Sequence, residues 1–324
     1  MIARIADLMQ HETAGDPMSG LKWTRKTREK VCSQLRQIGI RISPNTVGRL
    51  LRLMGYSLRV NHKQLSRVCK TPAGLRDAQF RHIAKLRDEA RARGVPLISV
   101  DAKKKELVGR FKNPGAAWSQ QAWSVNDHDF ASEAGGRAIP FGIYDLVANR
   151  GTVYVGTSND TAEFAVDAIE AWWISEGRDR YEGATELTIL ADGGGSNGAT
   201  NRLWKLCLHR FAQRHGLTVT VAHYPPGASK WNPIEHRLFS EISKNWAGRP
   251  LDSYQTILNY LSTTRTKTGL QVQAHLLDRL YDKGRRVSDA EMRRLPIAWG
   301  AQRWNYTVSP GLLRASTKQG LIAA

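Results

Sequence analysis

Asp101, Asp192 and Glu235 are the side chains of this 324-residue sequence best placed to do chemistry together. Asp101 closes the apolar run Leu97-Ile98-Ser99-Val100. Asp192 closes Leu187 to Ala191. Glu235 lies in the first turn of a helix opened by Pro233. Short apolar runs read as buried strands, and Pro is favourable at a first helical position, where its missing N–H would have no partner anyway. An acid after a strand is ordinarily a cap or a turn residue. Three acids on rigid elements that could share one sheet edge point instead to phosphoryl transfer. Two divalent ions about 3.5–4 Å apart help a weak nucleophile attack an anionic phosphodiester. Hard ions such as Mg²⁺ take oxygen ligands and tolerate partial hydration, so three carboxylates suffice. Asp145 lies within a strand and competes for the same place. Glu106 is close to Asp101 in sequence, and Glu241 falls on a different helical face from Glu235.

The neighbours of these acids suit a phosphate-handling site. Asp192-Gly193-Gly194-Gly195-Ser196-Asn197-Gly198 precedes a helix, where glycines admit backbone N–H groups to a phosphate and the helix N-terminus favours anions. Alone, such a loop is more often a tight turn. Lys103, Lys104 and Lys105 follow Asp101, and Lys230-Trp231 precedes Glu235, combining charge for a nucleic-acid backbone with a ring for stacking. Trp231 could equally be core. His236 follows Glu235 about 100° around the helix and reads as a DNA or metal-edge contact.

These residues need a sheet to position them. Strand-like segments at 97–101, 139–147 and 152–156, with a turn at Asn149-Arg150-Gly151, are followed by a helix through Trp172 and Trp173. Asp160 with Glu163 gives that helix a capping-box start. Then come a strand (187–191), a helix from about Ala199 to His215, a strand (217–223) and the Glu235 helix to about Trp246. Within the irregular 102–135, Glu106 to Phe111 reads as a short strand. The order strand-strand-strand-helix-strand-helix-strand-helix, with acids ending the first and fourth strands and on the last helix, is that of a ribonuclease-H-like α/β domain, a mixed sheet with helices on both faces.

The N-terminal third is different. Residues 1–95 carry 20 Lys+Arg against 7 Asp+Glu, a net of +13, out of +19 for the whole chain. Such an excess implies a polyanion partner, most simply nucleic acid. Thr24 is a candidate cap for a helix to about Ile38, ended by Gly39. Ser43 caps a second helix with Pro44 at its first position, closed by Gly55. The pair reads as a small all-α helix-turn-helix unit, with Asn45, Thr46, Arg49 and Arg52 outward on the second helix, where such a motif meets the major groove. Arg59, His62, Lys63, Arg67 and Lys70 form a basic connector. The domain expectation is a flexible lead-in over 1–22, the helix-turn-helix region over 23–72, a connector helix within 73–96, the catalytic domain over 97–250, and a helical extension and tail over 251–324. Cys32, Cys69 and Cys207 are scattered and suggest neither a disulfide framework nor zinc. The lack of an apolar span or signal core implies a cytoplasmic, nucleoid-associated protein with no membrane partner.

Long motifs carry a resemblance. Residues 97–109 (LISVDAKKKELVG), 191–198 (ADGGGSNG) and 225–240 (PPGASKWNPIEHRLFS) resemble the three acidic motifs of the ISAzo-type (Rhodopirellula-type) insertion-sequence transposases. Ile139 to Asp145, Asp160 to Ala165 and Trp304 to Thr307 are also similar, and the likeness runs from about Trp23 to Pro310. It implies a DDE transposase that cuts at the ends of a mobile element and joins them to target DNA with Mg²⁺ or Mn²⁺, Asp101, Asp192 and Glu235 being the metal-binding triad. It also implies double-stranded DNA as partner and a homo-oligomeric synaptic complex. Ala102 and Pro233 depart from the family pattern, the latter towards mariner-like relatives. The N-terminus is shorter than the family leads one to expect, so the rival reading is a truncated, inactive remnant that only binds DNA.

Overall fold

The computed structural model describes residues 2–9, 13–15, 22–24, 26–57, 71–300, 302 and 304–312. It forms two compact units, Met1–Gln64 and Leu65–Ala324. The basic connector residues Arg59 to Lys70, Cys69 and the tail beyond 312 lie outside the described residues.

The first unit contains helix α1 (Ile2–Met9), an antiparallel strand pair β1 (Thr13–Gly15) and β2 (Lys22–Thr24), and helices α2 (Arg28–Gln37) and α3 (Pro44–Leu53). Three details differ from the sequence reading, the first being that the unit expected to be all-α also holds the β1–β2 strand pair. Ile5 and Leu8, one helical turn apart, put α1 into the small core with Val31, Leu35 and Val47, so the start of the chain is not a bare lead-in. Thr27, not Thr24, caps α2, its hydroxyl accepting the Lys30 N–H at 3.2 Å, while Thr24 ends β2. Ser43 caps α3 with Pro44 at the first position, as its sequence suggests.

The second unit begins with α4 (Ala73–Arg93). Its strands are β3 (Leu97–Ala102), β4 (Glu106–Val108), β5 (Gly136–Asp145), β6 (Arg150–Gly156), β7 (Glu186–Ala191), β8 (Thr218–His223), β9 (Gln271–Leu277), β10 (Ile297–Trp299) and β11 (Asn305–Val308). Between and after them come α5 (Ala162–Trp172), the turn α6 (Arg178–Arg180), α7 (Arg202–His215), α8 (Ser240–Asn245), α9 (Tyr254–Ser262) and α10 (Asp289–Arg294). The sheet runs β10-β11-β8-β7-β3-β5-β6-β9, with β4 on β5. β5 runs antiparallel to both of its neighbours, β3 and β6, while β7 and β8 continue parallel to β3.

Alternation along the central strands loads both faces. Ile98, Val100, Ile189, Val219 and Val221 join the core under α5 and α7, whereas Leu97, Leu190 and Ala222 pack with Ile83 and Ala90 of α4. The helix expected as a connector therefore lies on the sheet of this unit. Gln79 fastens it, donating to the His223 carbonyl at 2.9 Å. The C-terminal segment is likewise more than a helical extension, since β9 extends one edge of the sheet and β10 and β11 extend the other. Thr161 rather than Asp160 caps α5, accepting the Phe164 N–H at 3.2 Å. Among the described residues no helix is long and apolar enough to cross a membrane.

Candidate active site

Strand register brings the first two acids together. Val100 is paired with Ala191 in the parallel ladder. Asp101 and Asp192 come next in sequence after these two, so they stand at the same level of neighbouring strands, which lie about 4.8 Å apart. The Tyr224 N–H to Ala191 carbonyl bond (2.8 Å) carries the ladder onto the strand that leads to Glu235.

Glu235 is delivered to this edge by a buried lock. The Ser99 hydroxyl donates to Asn232 Oδ1 and accepts the Ile234 N–H at 3.2 Å. Asn232 Nδ2 and Asn197 Nδ2 each donate to the Val100 carbonyl at 3.4 Å. Both acid-bearing loops are thereby tied to the residue just before Asp101. Gly142, the partner of Asp101 on β5, supplies the clearance: a Cβ there would lie 2.5 Å from Phe239 and 2.9 Å from Ile234. Glu235 opens a wide π-helical turn, Glu235–Phe239, before regular helix resumes in α8, so the continuous helix expected to Trp246 is wound more loosely at its start.

The electrostatics are those of crowded carboxylates. Burial pushes the Asp101 carboxyl up to about 8, and the charges of Asp192, Glu235 and Asp160 push the same way. Burial also raises Asp192, against the Gly194 N–H, and raises Glu235, against Lys103 and His236. Hard oxygen donors that repel one another suit a small divalent cation, as does the buried Asp160 Oδ1, which has no hydrogen-bond partner. Among the described residues, no three acidic, imidazole or thiol side chains stand close enough as placed to hold a metal ion. Like-charge repulsion opposes closer approach of bare carboxylates.

Lys103 is turned inward. Its ammonium lies 3.6 Å from Glu106 and over the Trp246 ring at 4.7 Å, and burial lowers its pKa. It is a counter-charge for Glu235 rather than a side chain presented to solvent. Lys104 is exposed, and Lys105 is exposed with Asp160 at 3.7 Å. Lys230 lies over the Trp231 ring, itself 54% exposed, with its edge on Phe80. His236 is exposed beside Glu235. In the first unit Asn45, Arg49 and Arg52 are exposed on α3, while Thr46 is half-buried and hydrogen-bonded to Ser43.

Several residues fall elsewhere. Asp145 pairs with Ile98, at the opposite edge from Asp101, and is consumed by Arg180, Tyr181 and the Val147 and Ala148 N–H groups. Glu241 pairs with Lys244. The glycine loop does not feed α7 directly, because Asn201 caps that helix, accepting the Trp204 N–H at 3.2 Å. Sequence reasoning passed over Asp160 as a member of the site, since its position before α5 reads as a cap. It also passed over Asn232 and Gly142, whose roles depend on partners 90 or more residues away.

The Mos1 transposase paired-end complex with left transposon end superposes with a TM-score of 0.42 at 15% identity, covering 81% of this chain and 69% of that one. The mariner Mos1 paired end complex with Mg does so with a TM-score of 0.42 at 14% identity, covering 81% and 69%. No curated protein matches. The family model described as Rhodopirellula transposase DDE domain matches residues 4–310, and the chain belongs to that family.

Proposed function

We propose that this protein is a DNA transposase whose second unit is a ribonuclease-H-like domain. Asp101, Asp192 and Glu235 form its catalytic centre for cleavage at mobile-element ends and strand transfer into target DNA. The observation that carries the reading is the shared level of Asp101 and Asp192 on adjacent parallel strands, with Glu235 tied to the same edge through Ser99 and Asn232. The sheet order supports the fold name: three antiparallel strands, then two parallel to the first.

Asp101, Asp192 and Glu235 would hold two Mg²⁺ or Mn²⁺ ions, with Asp160 at the margin. When bound, such ions supply Lewis acidity to the phosphodiester and its leaving oxygen. The chain's own contribution is placement. Strand ends fix two carboxylates, and the Ser99–Asn232 lock fixes the third. Lys103 offsets the charge of Glu235 while leaving its oxygens available. Lys104, Lys230, Trp231 and His236 are suited to backbone phosphates and an unstacked base. Asn45, Thr46, Arg49 and Arg52 of α3 are suited to the major groove of the element ends. Pairing two ends implies a homo-oligomeric synaptic complex.

The test is strand transfer. Labelled duplexes carrying the element's own ends are incubated with the full chain, Mg²⁺ or Mn²⁺ and a target plasmid. Covalent joining of end to plasmid is expected. Cutting without joining makes the protein a nuclease, and binding without cutting makes it a DNA-binding remnant.

A further inference from the structure

The second acid is held by a chain of buried polar groups that begins on the last strand. His223, at the end of β8, has its Nδ1 2.7 Å from the Asp192 carbonyl and its Nε2 3.2 Å from the Tyr306 hydroxyl. Trp204 Nε1, from α7, reaches the same hydroxyl at 2.8 Å. Trp204 and His223 are fully buried, and Tyr306 nearly so. A carbonyl only accepts and an indole N–H only donates, so with a neutral imidazole every proton in the chain has one place. Trp204 donates to Tyr306, Tyr306 donates to His223 Nε2, and His223 Nδ1–H donates to Asp192. Burial disfavours a charged imidazole here, as does the nearby Lys205 ammonium, against the Asp192 carbonyl. Lys205 itself lies over the rings of Trp299 and Tyr306, at 5.7 and 5.1 Å, and donates to the Ala199 carbonyl.

We infer that Trp204, Tyr306 and His223 form a positioning relay that fixes the backbone of Asp192, so that β11 takes part in setting the catalytic centre. The inference rests on the proposed role of Asp192 as a metal ligand. It makes the three residues positioning residues, since none is placed to meet substrate. Ordering is their only task, and it matters because Asp192 leads into the Gly193-Gly194-Gly195 turn, where the relay adds to the Asn197–Val100 tie further along the same loop.

The experiment uses the full chain with Tyr306→Phe, which removes one oxygen without changing the ring, and His223→Ala with His223→Asn, where Asn keeps an N–H donor near the Nδ1 position. The control is Thr307→Val, which removes the neighbouring 3.1 Å Thr220–Thr307 contact on the same strand pair. Two readouts are taken on each protein: amide hydrogen exchange of the peptide covering 189–198, and Mn²⁺ affinity from the free-ion electron paramagnetic resonance signal. Tyr306→Phe and His223→Ala are expected to speed exchange in that peptide and to weaken Mn²⁺ binding about tenfold, the scale for supporting residues behind a metal ligand. His223→Asn is expected to lie closer to the native protein, and Thr307→Val to change neither readout. Native-like exchange and affinity in Tyr306→Phe overturn the relay. A native protein that does not take up Mn²⁺, with exchange still accelerated in Tyr306→Phe, upholds the relay and removes the metal-site reading instead.

Discussion

Asp101 stands directly opposite Gly142 in the antiparallel β3–β5 pair, and the space left by the missing side chain is filled by Phe239 and Ile234 of the helix that carries Glu235. The first and third acids are thus coupled through a residue with no side chain at all. Gly142→Ala would force a Cβ to within 2.5 Å of Phe239. Overpacking of this kind costs about 1–3 kcal/mol. Chemical denaturation should show that loss, and the Gly142→Ala/Phe239→Leu double variant should recover part of it. A Gly142→Ala protein as stable as native would contradict the packing described.

The Ser99–Asn232 lock should be visible in both stability and activity. Asn232 is fully buried, and its removal leaves Ser99 and the Val100 carbonyl short of partners. An unsatisfied buried polar group costs about 1–3 kcal/mol. Asn232→Ala should unfold at lower denaturant and cleave more slowly even where fully folded, with DNA affinity little changed. Unchanged cleavage per folded molecule would separate the lock from Glu235.

How much of this was legible in the sequence depends on how local the cause was. Asp101 and Asp192 end apolar runs that read as strands, and Pro233 marks a helix start, so the three acids and the order of the elements around them could be read directly. Ser43-Pro44 marks α3 for the same reason. What escaped was non-local. Gln271–Leu277 became an edge strand, and Asn305–Val308 joined β8, because sheet partners already existed, not because either segment has a strong strand signal of its own. Asp145 and Asp101 look equivalent as strand acids, yet antiparallel pairing sends them to opposite edges. Asp160 and Thr161 are adjacent cap candidates, and only the fold shows that the threonine caps while the aspartate faces the acidic cluster.

That opposition of Asp145 and Asp101 gives a contrast to measure. Asp145 accepts from Tyr181, Arg180 and two backbone N–H groups in a buried network. Removing one partner from such a network costs about 3–5 kcal/mol. Asp145→Ala should be strongly destabilised, yet its folded fraction should cleave DNA. A stable but inactive Asp145→Ala protein would place Asp145 in the chemistry and refute its structural role.

The crowding of Asp101 makes metal-free stability depend on pH. Its carboxyl, ordinarily near 3.8, is pushed up to about 8, by burial first and then by Asp192 and Glu235. The folded state keeps a proton that the unfolded chain gives up, so this group carries no penalty below about pH 4 and its full penalty above about pH 8. With a chelator present, the native protein should lose thermal stability relative to Asp101→Asn as pH rises through that window. Adding Mg²⁺ at the upper end should restore the native protein more than the variant. Parallel pH curves for the two proteins would contradict this.

The exposed Arg49 and Arg52 of α3 bear on DNA recognition. If each meets a phosphate, Arg49→Ala and Arg52→Ala should weaken binding to all duplexes alike and lower the salt slope by about one each. If one reads a base, its loss should relax preference for the element end by about 1–3 kcal/mol. Fluorescence anisotropy over a salt series decides between them, and unchanged affinity in both variants would remove α3 from the interface.

The central claim is that Asp192 belongs to a catalytic centre and not merely to a strand end. The most direct measurement is Mg²⁺-dependent strand cleavage by Asp192→Asn on a duplex carrying the element end, with DNA binding followed on the same protein. Cleavage is expected to fall to background while binding stays close to native. Cleavage retained by Asp192→Asn would contradict it.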